Sequence, residues 1–430
     1  MKFNYEKLGN LIELSETKNK DLAVTNLVGM NINKKFIPSV ANTIGTNLAR
    51  YKLINKNQFA CNLMHVGRDK SVVISLFELK TPSIISPAYK VFKINDENIL
   101  IPKFLMMYFL RSEFDRMGWY YTDSSIRGSL DWKKFCEIEI PIPPLEIQEK
   151  IVKIYEFLNY RIELKEKINK NLEQLMKCIF EDWFVNFNYS EDISFKSSEL
   201  GEIPSNWNVK KLSDVLITLE SGKRPKGGIS DIEDGIPSIG AENILGLGKF
   251  NYSKNKLISH EFFSTLKKGV IQDKDVLLYK DGAQLGRKSL FMKGFPFDIC
   301  CINEHVFRLQ TNDEINQFYL YLWLDQEVMT NEIINLNSNS AQPGINQNDV
   351  KSLLILVPEL KIISKFNKII SPMMNQIFDN ALEINKLTKL RDTLLPKLMS
   401  GEIDVSKINC DLKIIIKFIL NPLNYFYGGI

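Results

Sequence analysis

The chain has 430 residues, 44% of them hydrophobic and 25% charged, with a formal net charge of +4. That composition is globular, long enough for two to four domains, and permits nucleic-acid binding without demanding it. No basic, apolar leader opens the sequence, and its longest apolar run, LKIIIKFIL at 412–420, is broken by lysine and far short of the roughly 20 residues of a membrane helix, so a cytoplasmic protein without a membrane partner is expected.

In chain order, residues 1–144 carry β-branched and aromatic runs cut by Gly, Pro, Asn and Asp, which predicts short strands and turns. Within them FLMMYFL at 104–110 reads as a buried helix, and the stretch has a net charge of +6. After Pro144 the pattern changes. Ile147, Ile151, Ile154, Leu158, Ile162, Ile168, Leu172, Leu175 and Ile179 recur mostly every three or four residues with Glu and Lys between them, which predicts a long amphipathic helix. Residues 190–358 return to strands and turns, with a net charge of −2 over 201–358. There DVLLYKDGAQLGRKSLFM at 275–292 predicts a strand, an Asp281-Gly282 turn, a loop through Gly286 and a second strand, and FYLYLWL at 318–324 predicts a buried helix. From Leu360 a second helical stripe runs through Ile362, Phe366, Ile369, Met373, Ile377, Ile384, Leu387 and Leu390 to Leu394, with Pro372 predicting a kink or a restarted helix. Each stripe covers about 35 to 40 residues, roughly 50 to 60 Å if continuous.

The two halves echo one another. EIEIPIPPLEIQEKI at 137–151 reappears, worn, as SLLILVPELKIISKF at 352–366, and placing Pro143 on Pro358 sets an offset of 215 residues. The same offset pairs Leu130 with Ile345, Ile138 with Leu353, Ile147 with Ile362 and Val91 with Val306. After a one-residue slip FLMMYFLRSE lies on FYLYLWLDQE; IPSVAN from Ile37 matches IPSIGAEN from Ile236, and KLGNLIEL from Lys7 matches KLSDVLITL from Lys211. The fold class is therefore α+β, two tandem mixed domains each followed by a long helix. One apolar stripe is ordinarily core; two matching stripes favour pairing as an antiparallel coiled coil, since each alone exposes an apolar seam.

Catalytic constellations are missing. The phosphate loop G-x-x-x-x-G-K-[ST] is absent, NPLN at 421–424 fails the N-P-P-[YF] tetrad of DNA adenine methylation, and the E-x-K fragments at Glu78 and Glu163 are the sort that recur by chance. Six cysteines without a C-x-x-C pair, beside three histidines, argue for buried reduced thiols rather than zinc; His65 and His305 read as satisfied core histidines. What remains is a set of polar and basic loops. SGKRPKGG at 221–228 sets Lys223, Arg224 and Lys226 among glycines, as suits phosphates, though a solvated loop has the same composition. TDSSIRGSLDW at 122–132 and NSNSAQPGINQND at 337–349 align across the repeat and carry side chains that contact phosphates and base edges, though plain turns would also. Candidate DNA contacts are Lys34, Lys35, Arg68, Ser124, Ser125, Arg127 and Lys133 in the first half. In the second they are Lys223, Arg224, Lys226, Asn243, Lys280, Gln284, Arg287, Lys288, Asn339, Gln342 and Gln347.

The order of IPIPPLEIQEKI (140–151), LGEIPSNWNVKKLSDV (200–215), LYKDGAQLGRKSLF (278–291) and LRDTLLPKLMSGEIDV (390–405) resembles the specificity subunits of type I restriction-modification systems. The resemblance implies target-recognition domains at 1–144 and 190–358, a central helical spacer at 145–189, a C-terminal helical spacer at 359–405 and an atypical tail at 406–430. It implies a non-catalytic reader of a bipartite, asymmetric double-stranded DNA site that scaffolds two methyltransferase subunits and restriction or motor subunits. Pro143, Pro144, Leu145, Gln148, Pro358 and Leu360 would contact partners. No cofactor is expected on this chain; S-adenosylmethionine, ATP and Mg²⁺ are expected on the partner subunits. The sequence departs from the family where the G-x-I-P-x-x-W lead-in at 201–207 has no counterpart before the first domain, and where PPLEIQ has decayed to PELKII. A stand-alone DNA modification enzyme or nuclease, and a structural coiled-coil protein without DNA ligand, are the alternative readings.

Overall fold

Runs of consecutive buried residues build the first half around strand Phe59–Asn62, flanked by Lys90–Ile94 and Val73–Leu76, with Ile12–Leu14 completing an antiparallel four-stranded sheet. A computed structural model describes residues 2–39, 45–122, 128–190, 193–226, 228, 232–337 and 343–406. The chain forms two units, 1–160 with 388–430, and 161–387.

In the first unit a second sheet has the order Phe36–Pro38, Leu27–Met30, Ser83–Ile85, Lys52–Ile54, and its two central strands run parallel. Phe59, Phe92, Phe109, Phe114 and Phe135 are buried together, with Phe59 stacked on Phe92 at 5.1 Å between ring centroids. Helix Pro102–Phe109 begins on a proline, which costs no hydrogen bond at that position, and is buried through Phe104, Leu105, Met107, Tyr108 and Phe109. Strand Asn4–Lys7 pairs antiparallel with Glu139–Ile142, so the unit's first and last strands close on each other just before the long helix.

The second unit repeats this topology. Leu216–Ser221, Val306–Thr311, Asp275–Tyr279 and Lys288–Phe291 form an antiparallel sheet in the same order; Ile236–Ile239 runs parallel to Cys301–Ile302; and Asn208–Lys211 closes on Leu354–Val357. The expected hairpin at 275–292 and both buried helices are present, and helix Gln317–Leu324 is buried at every residue from Phe318 onward. Inside the sheet Arg308 joins Asp275 and Glu220, the latter at 2.6 Å, with Asp275 fully buried.

Two of the sequence matches are corrected. Tyr108 donates its hydroxyl to Glu139 O and Trp323 its Nε1–H to Leu354 O, both pairs related by the offset of 215, so the helices align without a slip. The similarity of FLMMYFL and FYLYLWL one residue out of step is a coincidence of aromatic letters. IPSVAN and IPSIGAEN likewise join non-equivalent strands: Ile37 lies on the edge strand Phe36–Pro38, whereas Ile236 begins the central one, whose counterpart is Leu27–Met30.

The stripes form helices Leu145–Phe184 and Leu360–Ser400. In the second unit Arg161 meets Glu383, Lys165 meets Asn380 and Asn169 donates to Ile377 O, so later residues of one helix meet earlier residues of the other, an antiparallel pair. In the first unit Asn159 Oδ1 accepts from Arg391 in the same sense. At the buried centre of the seam Asn380 Nδ2 donates to Asn169 Oδ1 at 2.8 Å. The second helix continues through Pro372 without restarting: Ile370, Met374, Ile377 and Phe378 are buried on both sides of it, and their packing outweighs the one missing N–H. Cys61, Cys300 and Cys301 are buried, Cys136 is half-buried and Cys178 is exposed, so the expectation of buried thiols fails at Cys178. No helix among the described residues is long and apolar enough to cross a membrane.

Candidate nucleic-acid interface

Each unit holds the base of its polar loop with main-chain hydrogen bonds to the turn that follows its central strand. In the second unit the N–H of Gly282 donates to Pro343 O at 2.7 Å, the N–H of Ile345 donates to Lys280 O at 2.9 Å, and Asp281 bridges Gly344. In the first unit the N–H of Gly67 donates to Gly128 O at 2.7 Å and that of Leu130 to Leu63 O at 2.8 Å, while Ser129 Oγ donates to Met64 O. Here two backbones touch: a Cβ on Gly67 would lie 2.7 Å from the Cα of Gly128, and one on Gly128 2.5 Å from the Cα of Gly67, so both positions need glycine. Beyond the clasp each loop turns into a short helix capped by an Asx side chain, Asp131 accepting from the N–H of Lys133 and Asn346 from the N–H groups of Asn348 and Asp349.

In the second unit two more stretches reach the same place. His305 Nδ1 lies 2.7 Å from Asp281 Oδ1, and the N–H of Lys280 donates to His305 O. Glu304 stands 3.5 Å from Arg224, and the N–H of Gly222 donates to Asn303 O. The basic loop from Lys223, the hairpin turn, His305 and the base of the 337–349 loop thus converge, although they are far apart in sequence. Lys223, Arg224, Lys226, Gln284 and Arg287 are exposed there, Gln347 is half-buried, and Lys280 lies over the Phe307 ring at 5.4 Å. The geometry offers cations and amides around a clasped loop. Among the described residues no three His, Cys, Asp or Glu side chains are grouped to hold a metal.

Residues 3–174 and 204–392 both match the profile described as the type I restriction modification DNA specificity domain. The chain belongs to that family. Specificity subunits named as relatives include MjaIX of Methanocaldococcus jannaschii, 26% identical over 274 residues that make up 63% of this chain and 62% of the relative. Another is HindI of Haemophilus influenzae, 24% identical over 381 residues, 74% of this chain and 81% of the relative. The matched region spans less than two thirds of the length of MjaIX and, at 65%, of the MjaVIII specificity subunit. The crystal structure of the type I restriction-modification S subunit of M. genitalium has the same fold, with a TM-score of 0.53 at 17% identity over 92% of this chain and 96% of that one.

Within this specificity-domain fold the candidate side chains separate by position. Lys35, Arg68 and Lys133 are exposed in the first unit, Arg68 beside Asp69 at 2.7 Å. Ser124, Ser125, Arg127, Asn339 and Gln342 lie outside the described residues, as do residues 407–430 of the tail. Three candidates are turned inward and are corrected to structural roles. Lys34 is buried, its ammonium bonded to Phe109 O and, at 2.8 Å, to Asp115, and burial lowers its pKa. Asn243 is buried, with Oδ1 accepting from the N–H of Gly240. Lys288 is buried with its ammonium on the Thr330 hydroxyl, and desolvation pulls its pKa down to about 8. Among the partner candidates, Pro144 and Leu360 are exposed, Leu145 is half-buried, and Pro143 and Pro358 are buried. Gln148 is also corrected: fully buried, it accepts from the N–H of Ile101 and donates to Ile99 O and Pro143 O, tying the long helix to the domain before it.

Two features escaped the sequence. His305 is not a core histidine, because its ring is partly exposed and faces two carboxylates, Asp281 and Glu304; His65 is half-buried. The run Trp119-Tyr120-Tyr121, which leads into the first polar loop, is exposed, although aromatic triplets usually signal core. The signal that could have found it is its place between a helix end and the polar loop.

Proposed function

We propose that this chain reads a bipartite, asymmetric DNA target, one half-site per unit, and scaffolds two methyltransferase subunits and the restriction subunits of a type I restriction-modification complex, with no catalysis of its own. The observation that carries the reading is the shared main-chain clasp, which presents loops of different side chains from one fold. Two copies of a scaffold with unlike loops suit two unlike short sequences, and helices about 40 residues long reach further than one turn of B-DNA, about 34 to 36 Å, which leaves an unread spacer between the half-sites. Pro143-Pro144-Leu145 and Pro358-Glu359-Leu360 stand at matching places in the repeat, each just before a long helix and each with an exposed residue, Pro144 in one and Leu360 in the other, so two similar partners related by an approximate two-fold fit them. S-adenosylmethionine, ATP and Mg²⁺ belong on those partners.

The test exchanges residues 1–144 for the matching domain of a relative with another specificity and maps methylated adenines. One half of the methylated sequence should change while the other and the spacer stay. Both halves changing together, or neither, would overturn the reading. Replacing Lys223, Arg224 and Lys226 with alanine should weaken binding to all duplexes alike and flatten the salt dependence, by up to about one unit of slope for each phosphate left without its cation.

A further inference from the structure

Helix Ser112–Tyr120 in the first unit is held along one face and open at its C-terminal end. Asp115 accepts from both the Lys34 ammonium and the N–H of Val72, and Gly118 sits so close to Val72 that a Cβ would lie 2.4 Å from a Val72 methyl carbon. The helix ends on Trp119 and Tyr120 and is followed by Tyr121, which are 46%, 81% and 39% exposed. The two tyrosine rings meet edge to face at 5.5 Å, and Thr122 Oγ1 donates back to Trp119 O, so the cluster is built rather than loose.

Its surroundings are cationic. The Lys70 ammonium lies over the Trp119 ring at 5.4 Å and Lys134 Nζ donates to Tyr121 O, while Arg116, on the same helix, is paired with Glu113 at 3.5 Å. Among the described residues the nearby carboxylates are already engaged: Asp115 by Lys34 and Val72, Glu113 by Arg116, Asp69 by Arg68, and Asp131 by the helix it caps. A flat apolar surface rimmed by cations matches the chemistry of a nucleic acid, whose base faces stack on aromatic rings while its phosphates take the charges. At the same offset the second unit has Ile334, Asn335 and Leu336, with no aromatic ring.

We infer that Trp119, Tyr120 and Tyr121 form an aromatic platform on which the first unit, and not the second, holds nucleobase faces of its DNA half-site, with Lys70 and Lys134 on the adjacent phosphates. The inference rests on the DNA-reading function proposed above and adds an asymmetry: one half-site is held partly by stacking and base-step distortion, the other by polar contacts.

The experiment uses the full chain assembled with its methyltransferase subunits and a duplex sequence selected by that complex from a random-sequence pool. Tyr120→Ala should weaken binding to the selected duplex about 10-fold, as loss of one stacked base does, with an unchanged salt slope, because every phosphate keeps its cation. Tyr120→Phe should retain binding. Trp119 emission, taken as the difference between the unaltered chain and Trp119→Phe, should be quenched and shielded from acrylamide when the duplex is added. Unchanged binding by Tyr120→Ala together with Trp119 left open to acrylamide would overturn the inference and leave DNA reading intact. Shielding of Trp119 by the methyltransferase subunits before any DNA is added would overturn it in favour of a protein contact. Failure of the unaltered complex to select any duplex would overturn the parent proposal as well.

Discussion

Replacing Arg308 with methionine removes the cation from the centre of the second unit's sheet. Arg308 is 7% exposed in its side chain, and its partners Asp275 and Glu220 are 0% and 19% exposed. Without the guanidinium, Glu220 keeps one bond, from the N–H of Gly269 at 2.7 Å, and Asp275 Oδ2 keeps one from the N–H of Gln272 at 2.6 Å. Asp275 Oδ1 has no partner among the described residues to compensate. Breaking a buried pair by removing one member costs about 3 to 5 kcal/mol, and the surviving bonds place Arg308→Met toward the lower end. Against a domain stability of about 5 to 15 kcal/mol, that is a large share. Urea unfolding followed by tryptophan emission reports it, since Trp183, Trp207 and Trp323 all lie in this unit. The loss should depend on pH. Burial already raises the Asp275 carboxyl above its ordinary range despite Arg308, so the charged form penalises the fold above that raised value and the penalty is gone below the ordinary carboxylate pKa of about 4. The variant should therefore recover stability on acidification. Adding Asp275→Leu and Glu220→Leu should restore part of the loss at neutral pH, because the unpaired buried charges go, less the cost of the buried Gly269 N–H, which loses its acceptor Glu220. A loss below about 1 kcal/mol, or a triple variant no more stable than the single, would refute the reasoning.

Asn169→Leu alone strands the Asn380 amide and should lower the melting temperature, whereas Asn169→Leu with Asn380→Leu should raise it while letting the helices slip, seen as cysteine crosslinks spread over neighbouring positions. Gln148→Ala breaks three buried bonds and should cost about 1 to 3 kcal/mol in chemical denaturation, with the greatest rise in hydrogen exchange at residues 99–101. Lys288 is buried with a pKa lowered to about 8, so the cost of its charge is complete below pH 8 and is relieved as pH rises toward the unfolded value of about 10.4. The unaltered protein should therefore gain stability over that interval relative to Lys288→Met, and a flat difference in unfolding free energy would contradict it.

The repeat was legible because the residues that set it are apolar and keep their spacing: Leu130 and Ile345, Ile138 and Leu353, and Ile147 and Ile362 are all buried. Periodicity likewise exposed the long helices, and the Asp281-Gly282 turn its hairpin. Equivalence was hidden where it rests on a bond rather than a letter, as when Tyr108 and Trp323 reach matching carbonyls with different rings. The site was less legible than the fold. Lys34 reads as surface because its partner Asp115 is 81 residues away, and a lysine's burial is set by that distant carboxylate rather than by its neighbours in sequence. The clasp leaves little beyond glycines, Gly67, Gly128, Gly282 and Gly344, as traces, since main-chain bonds have no side-chain signature.

Because the base of each loop is fastened largely through peptide groups, that fastening places few demands, apart from its glycines, on which side chains the loop carries. Substitutions there can accumulate, or whole tips can be exchanged between relatives, while the scaffold keeps its stability. A lineage can thus drift from one target to another through intermediates that all fold, and the same property makes either unit a frame on which a randomised loop library could be displayed and selected.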